Sequence, residues 1–315
     1  MATSAKSQRE AVDGVLLLNK PAGLSSNQAL QRVRRMLNAK KAGHTGSLDP
    51  AATGMLPLCF GEATKVCAFL LNADKTYRVS AKLGISTDTG DGEGNETGHA
   101  PVPGMDPEDW DAILQSFRGK SLQVPPMYSA LKKDGKRLYE LARKGQSVER
   151  EPRPIRIDEI ELLEMSGTRL VFRVRCSKGT YVRSLVEDIA ARAGTVAHTA
   201  RLHRETVGSF DESTMLDMTA AEALVEDGGD ALRARLLPPD LALAEFPAVG
   251  VDSAGVEDFR MGKLVAIEVS PEQGLARVYG PGGEEEFLGV GELAANGTVA
   301  PKRVFLPGLK KSPNN

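Results

Sequence analysis

The sequence predicts an α+β fold, and three features carry that expectation. Tyr77, Val79, Ala81, Leu83 and Ile85 alternate with polar residues, as do Leu170, Phe172, Val174 and Cys176, which is the period of half-buried strands. Leu30, Val33, Met36 and Leu37, and later Val182, Leu185, Val186, Ile189 and Ala190, recur at helical spacing. The two kinds of segment are mixed without regular strand–helix–strand alternation, which argues against a doubly wound parallel sheet.

Taken in order, Val15 to Leu18 is a short apolar run that ends at the Pro21-Ala22-Gly23 turn. Ser25 and Gln28 stand in capping-box register at the head of a helix that reaches Leu37. Residues 43–54 are rich in glycine and small side chains, have no period and read as a loop. Glu62 to Leu71 reads as a helix, followed by the first alternating strand and a polar, glycine-rich excursion from Asp88 to Gly98. Asp106-Pro107 caps a helix that carries Trp110, Ile113, Leu114 and Phe117.

Residues 122–157 break this rhythm: Pro125-Pro126 opens the segment, a short helical stretch lies near Leu138 to Lys144, and Pro152 to Pro154 closes it. Its composition is that of a mobile, basic surface excursion. After the second alternating strand, Ser177-Lys178-Gly179-Thr180 turns into the helix of Val182 to Ala190, and a strand follows over 196–208. Thr219 and Glu222 have capping-box register for one more helix. Pro238-Pro239 and Phe246-Pro247 mark a boundary, beyond which short apolar runs between glycine-rich turns predict a small β-rich domain.

The chain has 315 residues, 41% hydrophobic and 26% charged, enough for one large and one small core. No apolar run approaches the roughly 18 residues of a membrane helix. Residues 1–12 are polar and read as a flexible tail, as do Lys310 to Asn315, on a cytoplasmic protein with no membrane attachment. Cys59, Cys67 and Cys176 are odd in number and lack CxxC spacing, and the four histidines lack HxxxH or HExxH spacing, so neither a disulfide framework nor a metal site is expected. Net charge is −2, yet Asn27 to Leu48 holds five basic residues and no acid, and Leu131 to Arg156 holds nine basic residues against four acids. Such zones suit either a phosphate backbone or an ordinary solvated face.

Several motifs fail. Gly119-Lys120-Ser121 resembles the end of a P-loop, but Leu114 stands where that motif begins with glycine. Gly92-Glu93-Gly94 opens a dinucleotide fingerprint that Thr97 breaks, and Glu96 occupies the turn glycine of a calcium loop. Nucleotide hydrolysis and dehydrogenase chemistry are left without support.

Gly43-His44-Thr45-Gly46-Ser47-Leu48-Asp49-Pro50-Ala51-Ala52-Thr53-Gly54 stands apart as a loop with one carboxylate, three glycines and a proline. Pro50 biases Asp49 toward an extended backbone, and the glycines allow sharp turning and close approach of a ligand. On these grounds Asp49 is either a turn cap or a carboxylate held out over a substrate. The segment resembles the catalytic motif of the bacterial tRNA pseudouridine-55 synthase (TruB) family. Leu18-Asn19-Lys20-Pro21-Ala22-Gly23, Gly61-Glu62-Ala63-Thr64-Lys65, Lys75-Thr76-Tyr77, Pro125-Pro126-Met127-Tyr128-Ser129-Ala130, Lys136-Arg137-Leu138-Tyr139, Cys176 to Arg183 and Arg201-Leu202-His203-Arg204 resemble further elements of that family, in order, over residues 12–240. Ser47 stands where the family usually has Thr, and His203 where a second Arg is common.

The resemblance implies a catalytic domain over 13–240 with a mixed, mainly antiparallel sheet, flanking helices and an RNA-gripping insertion at 122–157. It also implies a small C-terminal domain over 247–309, PUA-like and RNA-binding. The implied reaction isomerises uridine to pseudouridine in the T-arm stem-loop of tRNA by base flipping, with no cofactor and no metal, in a monomer that needs no protein partner. Asp49 is the implied essential carboxylate and Arg183 its basic partner. Tyr77 packs on the target base, Tyr181 and Leu202 line the same pocket, His44 stabilises the opened RNA loop and Lys20 lies near the pocket floor. Residue by residue, a solvent-facing Arg183, a core Tyr77, Tyr181 or Leu202, a satisfied neutral His44 and a turn lysine at 20 are the plainer readings. Competing functions are a non-catalytic RNA-binding protein or tRNA folding chaperone, a base-releasing glycosidase, and a guide-dependent synthase of ribosomal RNA.

Overall fold

The computed structural model describes residues 9–133, 135–226, 229–267 and 273–305. The chain divides into two units: Met1–Leu48, Met55–Leu71 and Gly208–Asn315 form one, Asp49–Gly54 and Asn72–Val207 the other. The fold is α+β, as the sequence predicts. Among the described residues no helix is long and apolar enough to cross a membrane. Apart from residues 9–12, the expected terminal tails fall outside the described residues.

The unit containing Asp49 is built on a sheet of Ala197–Val207, Lys75–Leu83, Arg169–Cys176, Arg153–Ser166 and Gly119–Gln123, each antiparallel to the next. The two alternating strands of the sequence lie side by side, with Tyr77 opposite Val174, Val79 opposite Phe172 and Ala81 opposite Leu170. This pairing puts their apolar residues on one face. Trp110 and Leu114 from helix Pro107–Gln115 and Leu185, Val186 and Ile189 from helix Val182–Arg192 close that face into a core.

Two strands of this sheet were not expected. Arg153–Ser166 runs for 14 residues, but its register breaks between Ile157 and Glu159 and again between Leu162 and Glu164. Each break resets which side the next residue faces, so the sequence shows no sustained alternation. Gly119–Gln123, the failed P-loop, pairs with its first five residues.

In the other unit, strand Gly14–Lys20 pairs in parallel with Leu216–Asp217, and helix Ser26–Met36 packs Ala29, Leu30 and Val33 into the core. The capping box forms: the Gln28 N–H donates to Ser25 Oγ at 3.2 Å, and the Ser25 N–H donates to Gln28 Oε1 at 2.8 Å. The expected box at Thr219 does not, because the helix begins at Met218 and Glu222 instead pairs with Arg32 at 2.6 Å. The helix expected over Glu62 to Leu71 is a 3-10 turn, Gly61–Val66, followed by a short α-helix, Cys67–Asn72. Its start is pinned from outside, where Asp13 Oδ1 accepts the Glu62 N–H at 2.6 Å. A second sheet, in the order Ala248–Gly250, Gly274–Tyr279, Phe287–Ala294, Thr298–Val304 and Val265–Ala266, makes the C-terminal part β-rich.

Candidate active site

The loop that carries Asp49 is fixed at its far end by a glycine. Thr53 and Gly54 pair in parallel with His203 and Arg204. Gly54 has φ +100°, and a Cβ there would lie 2.3 Å from the Arg204 carbonyl oxygen, so no other residue fits without moving the strand. Thr53 Oγ1 lies 2.7 Å from His203 Nδ1, a contact that an arginine at 203 would not make in this form. Within the loop the Ala52 N–H donates to the Asp49 carbonyl at 3.1 Å, and the Asp49 side chain remains 41% exposed.

Behind that carboxylate stands Arg183, in the first turn of helix Val182–Arg192 and only 6% exposed in its side chain. The solvent-facing alternative therefore does not hold. Arg183 Nε lies 3.0 Å from Asp49 Oδ2, and Nη2 donates to Asp49 Oδ1 at 3.5 Å and to the Tyr128 carbonyl at 2.6 Å. Nη1 donates to the Thr89 carbonyl at 2.7 Å and lies 3.7 Å from Asp91 Oδ2. A planar guanidinium held on all three nitrogens fixes the orientation of whatever it pairs with, which an ammonium would not do.

Thr89 and Asp91 were missed by the sequence reading, which took 88–98 for a polar excursion. Thr89 Oγ1 donates to Asp91 Oδ1 at 2.6 Å, and the same oxygen accepts the Glu93 N–H at 3.1 Å. Gly90 takes φ +73°, and a Cβ there would lie 2.9 Å from Glu187 Oε1 and 3.4 Å from Arg183 Cβ. The spacing Gly90-Asp91-Gly92 was the available signal, but only the bridge from Asp91 to Thr199 in the sheet shows where that loop points.

Tyr77 stands opposite Arg204 in the sheet, and Leu202 opposite Val79; both pack against the same core. Arg204, 1% exposed, hydrogen-bonds the Tyr77 hydroxyl. Burial raises the Tyr77 pKa, against the opposing charge of Arg204. Burial likewise raises that of Tyr181, and the negative charge of Asp49 pushes both tyrosines in the same upward direction. Lys75, two residues before Tyr77, is driven down to about 8 by burial and then by Arg204.

Lys20 and His44 belong to the other unit. Lys20 is fully buried, and its Nζ donates to the carbonyls of Pro21 at 2.8 Å and Leu24 at 2.7 Å, closing the turn ahead of helix Ser26–Met36. His44 ends strand Ala42–His44 opposite Leu58 and is partly exposed. Of the basic residues nearby, Arg34 is bound to the carbonyls of Ala39 and Lys40, and Arg32 to Glu222.

Residues 34–182 match the model of the TruB family pseudouridylate synthase N-terminal domain, 183–244 that of a tRNA pseudouridylate synthase B C-terminal domain, and 247–305 that of the pseudouridine synthase II TruB C-terminal region. The chain is 47% identical over 301 residues to tRNA pseudouridine synthase B of Stutzerimonas stutzeri, covering 95% of this chain and 98% of that protein. It is 49% identical to the protein of the same name from Dechloromonas aromatica, covering 93% and 95%. A chain in the crystal structure of a Cbf5–Nop10–Gar1 complex matches with TM-score 0.73 and 25% identity, covering 96% of this chain and 87% of that one. The chain belongs to the TruB family of pseudouridylate synthases.

Proposed function

We propose that the chain converts uridine 55 in the T-arm loop of tRNA to pseudouridine, with Asp49 as the reacting carboxylate. The coarser statement, that it is a tRNA pseudouridine synthase, rests on the family and on relatives of that name 47–49% identical over nearly the whole chain. The role of Asp49 is supported by a single observation: a carboxylate 41% exposed on one side and locked on the other by a buried arginine.

The reaction breaks the N1–C1′ bond, turns the uracil and joins C5 to C1′; the C5 proton leaves and N1 ends protonated. Nothing is oxidised or reduced, so the chemistry asks for no cofactor. The nucleotide must first leave its stack, which costs a few kcal/mol. Stacking on Tyr77 returns about 1–3 kcal/mol per base. Since burial raises the Tyr77 pKa, the ring meets the base as a neutral phenol, able to stack and to donate a hydrogen bond but poorly suited to remove a proton. Asp49 acts by attack at C1′, attack at C6 or removal of the 2′ proton, each of which needs the carboxylate, and Arg183 fixes its direction. Tyr181 and Leu202 line the base pocket, His44 supports the opened RNA loop, and Lys20 is assigned to its own turn. The same reading makes the protein a cytoplasmic monomer.

A T-arm stem-loop transcript incubated with the purified protein and no additive should acquire one pseudouridine, at position 55. Asp49→Asn should lower the single-turnover rate on the order of 10³-fold or more while still binding the RNA. A wild-type protein that binds and refolds tRNA without making pseudouridine would instead be the chaperone.

A further inference from the structure

Helix Val182–Arg192 has an N-terminal anomaly. Its N-cap is Tyr181, whose side chain makes no capping hydrogen bond. Tyrosine is a poor residue for that position, since a helix start with no side-chain acceptor leaves its first turn loosely held. The missing cap matters here more than at an ordinary helix, because the second residue of this helix is Arg183.

The constraint comes from another strand. Gln123, the last residue of Gly119–Gln123 and only 4% exposed, reaches the Tyr181 backbone with both ends of its amide. Gln123 Oε1 accepts the Tyr181 N–H at 2.8 Å, and Gln123 Nε2 donates to the Tyr181 carbonyl at 3.1 Å. That carbonyl also accepts the Leu185 N–H at 3.1 Å, the first hydrogen bond of the helix. A primary amide is a neutral group that can offer an acceptor and a donor side by side to the N–H and the carbonyl of one residue. Five residues further on, the Tyr128 carbonyl accepts from Arg183 Nη2 at 2.6 Å. The segment 123–128 thus grips the helix start at two points, backbone and guanidinium.

We propose that Gln123 is a positioning residue for the reaction: by clamping the Tyr181 backbone on both sides of its Cα it sets the first turn of the helix so that Arg183 meets Asp49. The inference rests on the roles proposed above for Asp49 and Arg183. Gln123 touches neither substrate nor the reacting carboxylate and acts through the backbone of a residue that does. It also gives the strand leading into the basic excursion a direct mechanical link to the catalytic pair, so an RNA contact that pulls on residues 124–128 is felt at Arg183.

The test is single-turnover and steady-state kinetics of Gln123→Leu and Gln123→Glu on a T-arm stem-loop, with the wild type alongside. Leucine removes both hydrogen bonds at similar volume; glutamate keeps the acceptor and sets a carboxylate oxygen against the Tyr181 carbonyl. Both should lose about 10- to 100-fold in kcat, the scale of a misplaced catalytic group, with KM for the RNA within about twofold. The decisive arm is the Arg183→Lys background. If Gln123 works through Arg183, adding Gln123→Leu there should cost less than threefold more, about 0.65 kcal/mol, because the fork it orients is already gone. A Gln123→Leu enzyme that melts early but turns over at the wild-type rate, or losses that multiply in the double variant, would overturn the proposal. Should Gln123→Leu not fold, the Gln123→Glu arms decide on the same criteria. A wild type inactive on the stem-loop would instead remove the proposed function, which keeps the two failures apart.

Discussion

Two arginines of the same unit each bridge two aspartates, and they do different work. Arg183 joins Asp49 and Asp91 with its side chain 6% exposed. Arg156 joins Asp74 at 2.8 Å and Asp158 at 2.7 Å with its side chain 45% exposed. The second has the shorter ion pairs, so distance alone would rank it first. Burial reverses the ranking. In water an ion pair gains little because solvent already serves both charges. At Arg183 two carbonyls and two carboxylates replace that water, and removing the cation would strand them. A buried pair contributes weakly to net stability but strongly to fixed geometry, which is what a reacting carboxylate requires.

The largest effect that follows is at Arg183. Arg183→Lys keeps the charge and loses the fork, so kcat should fall about 100-fold with RNA affinity little changed, measured by single-turnover mapping and filter binding. An equal loss in affinity would move Arg183 from positioning the carboxylate to gripping the RNA. Next comes the glycine that docks the same loop. Gly54→Ala forces a Cβ onto the Arg204 backbone at φ +100°. It should cost roughly 2–5 kcal/mol of stability, read from denaturant unfolding, because overpacking and a left-handed backbone add.

Lys75 sharpens the contrast as a buried cation with a second cation, Arg204, acting on it. Burial and then Arg204 lower its pKa from 10.5 to about 8, against the opposing effects of Cys176 and Asp74. The folded state therefore gives up this proton before the unfolded chain does. Between about pH 8 and 10.5 the unfolded state binds more protons, so raising the pH through that window adds stability, up to roughly 3 kcal/mol, and the full cost is felt below pH 8. Cys176 acts in the opposite sense at higher pH, since burial pushes its thiol up to about 12 and its contribution is lost above 9. Lys75→Met should abolish the rise between pH 7.5 and 9 in a series of urea melts; an unchanged slope would mean that the lysine is not its source.

How far the sequence alone reached follows the same line. The alternating strands at Tyr77 and Leu170, the Ser25 capping box and the Asp106-Pro107 helix start were legible because each is a local pattern with one physical solution. The strand Arg153–Ser166 was not, because two register breaks erase its period. Asp49 and Arg183 were legible through motif resemblance, although spacing gave no reason for them to meet across 134 positions. Asp91 showed only as a carboxylate between two glycines, and Thr89 and Gln123 were not legible at all. Their work is done through backbone carbonyls and peptide units supplied by other elements, and such partners leave no mark on a single sequence.

The smallest effect is the one that tests the comparison itself. Arg156 lies at the end of the stretch whose excess of basic residues suggested a phosphate-tracking surface. Its guanidinium already faces two carboxylates, so the local cluster of Arg156, Asp74 and Asp158 carries a net negative charge and offers little to a phosphate. Arg156→Ala should therefore leave the melting temperature unchanged within the reproducibility of a scan, leave kcat unchanged, and leave the salt dependence of tRNA binding with the wild-type slope. A phosphate contact, by contrast, would reduce that slope by about one counterion. If Arg156→Ala instead lost activity on the scale of Arg183→Lys, burial would not be what separates the two arginines, and the case for Arg183 as the positioning cation would have to rest on its contact with Asp49 alone.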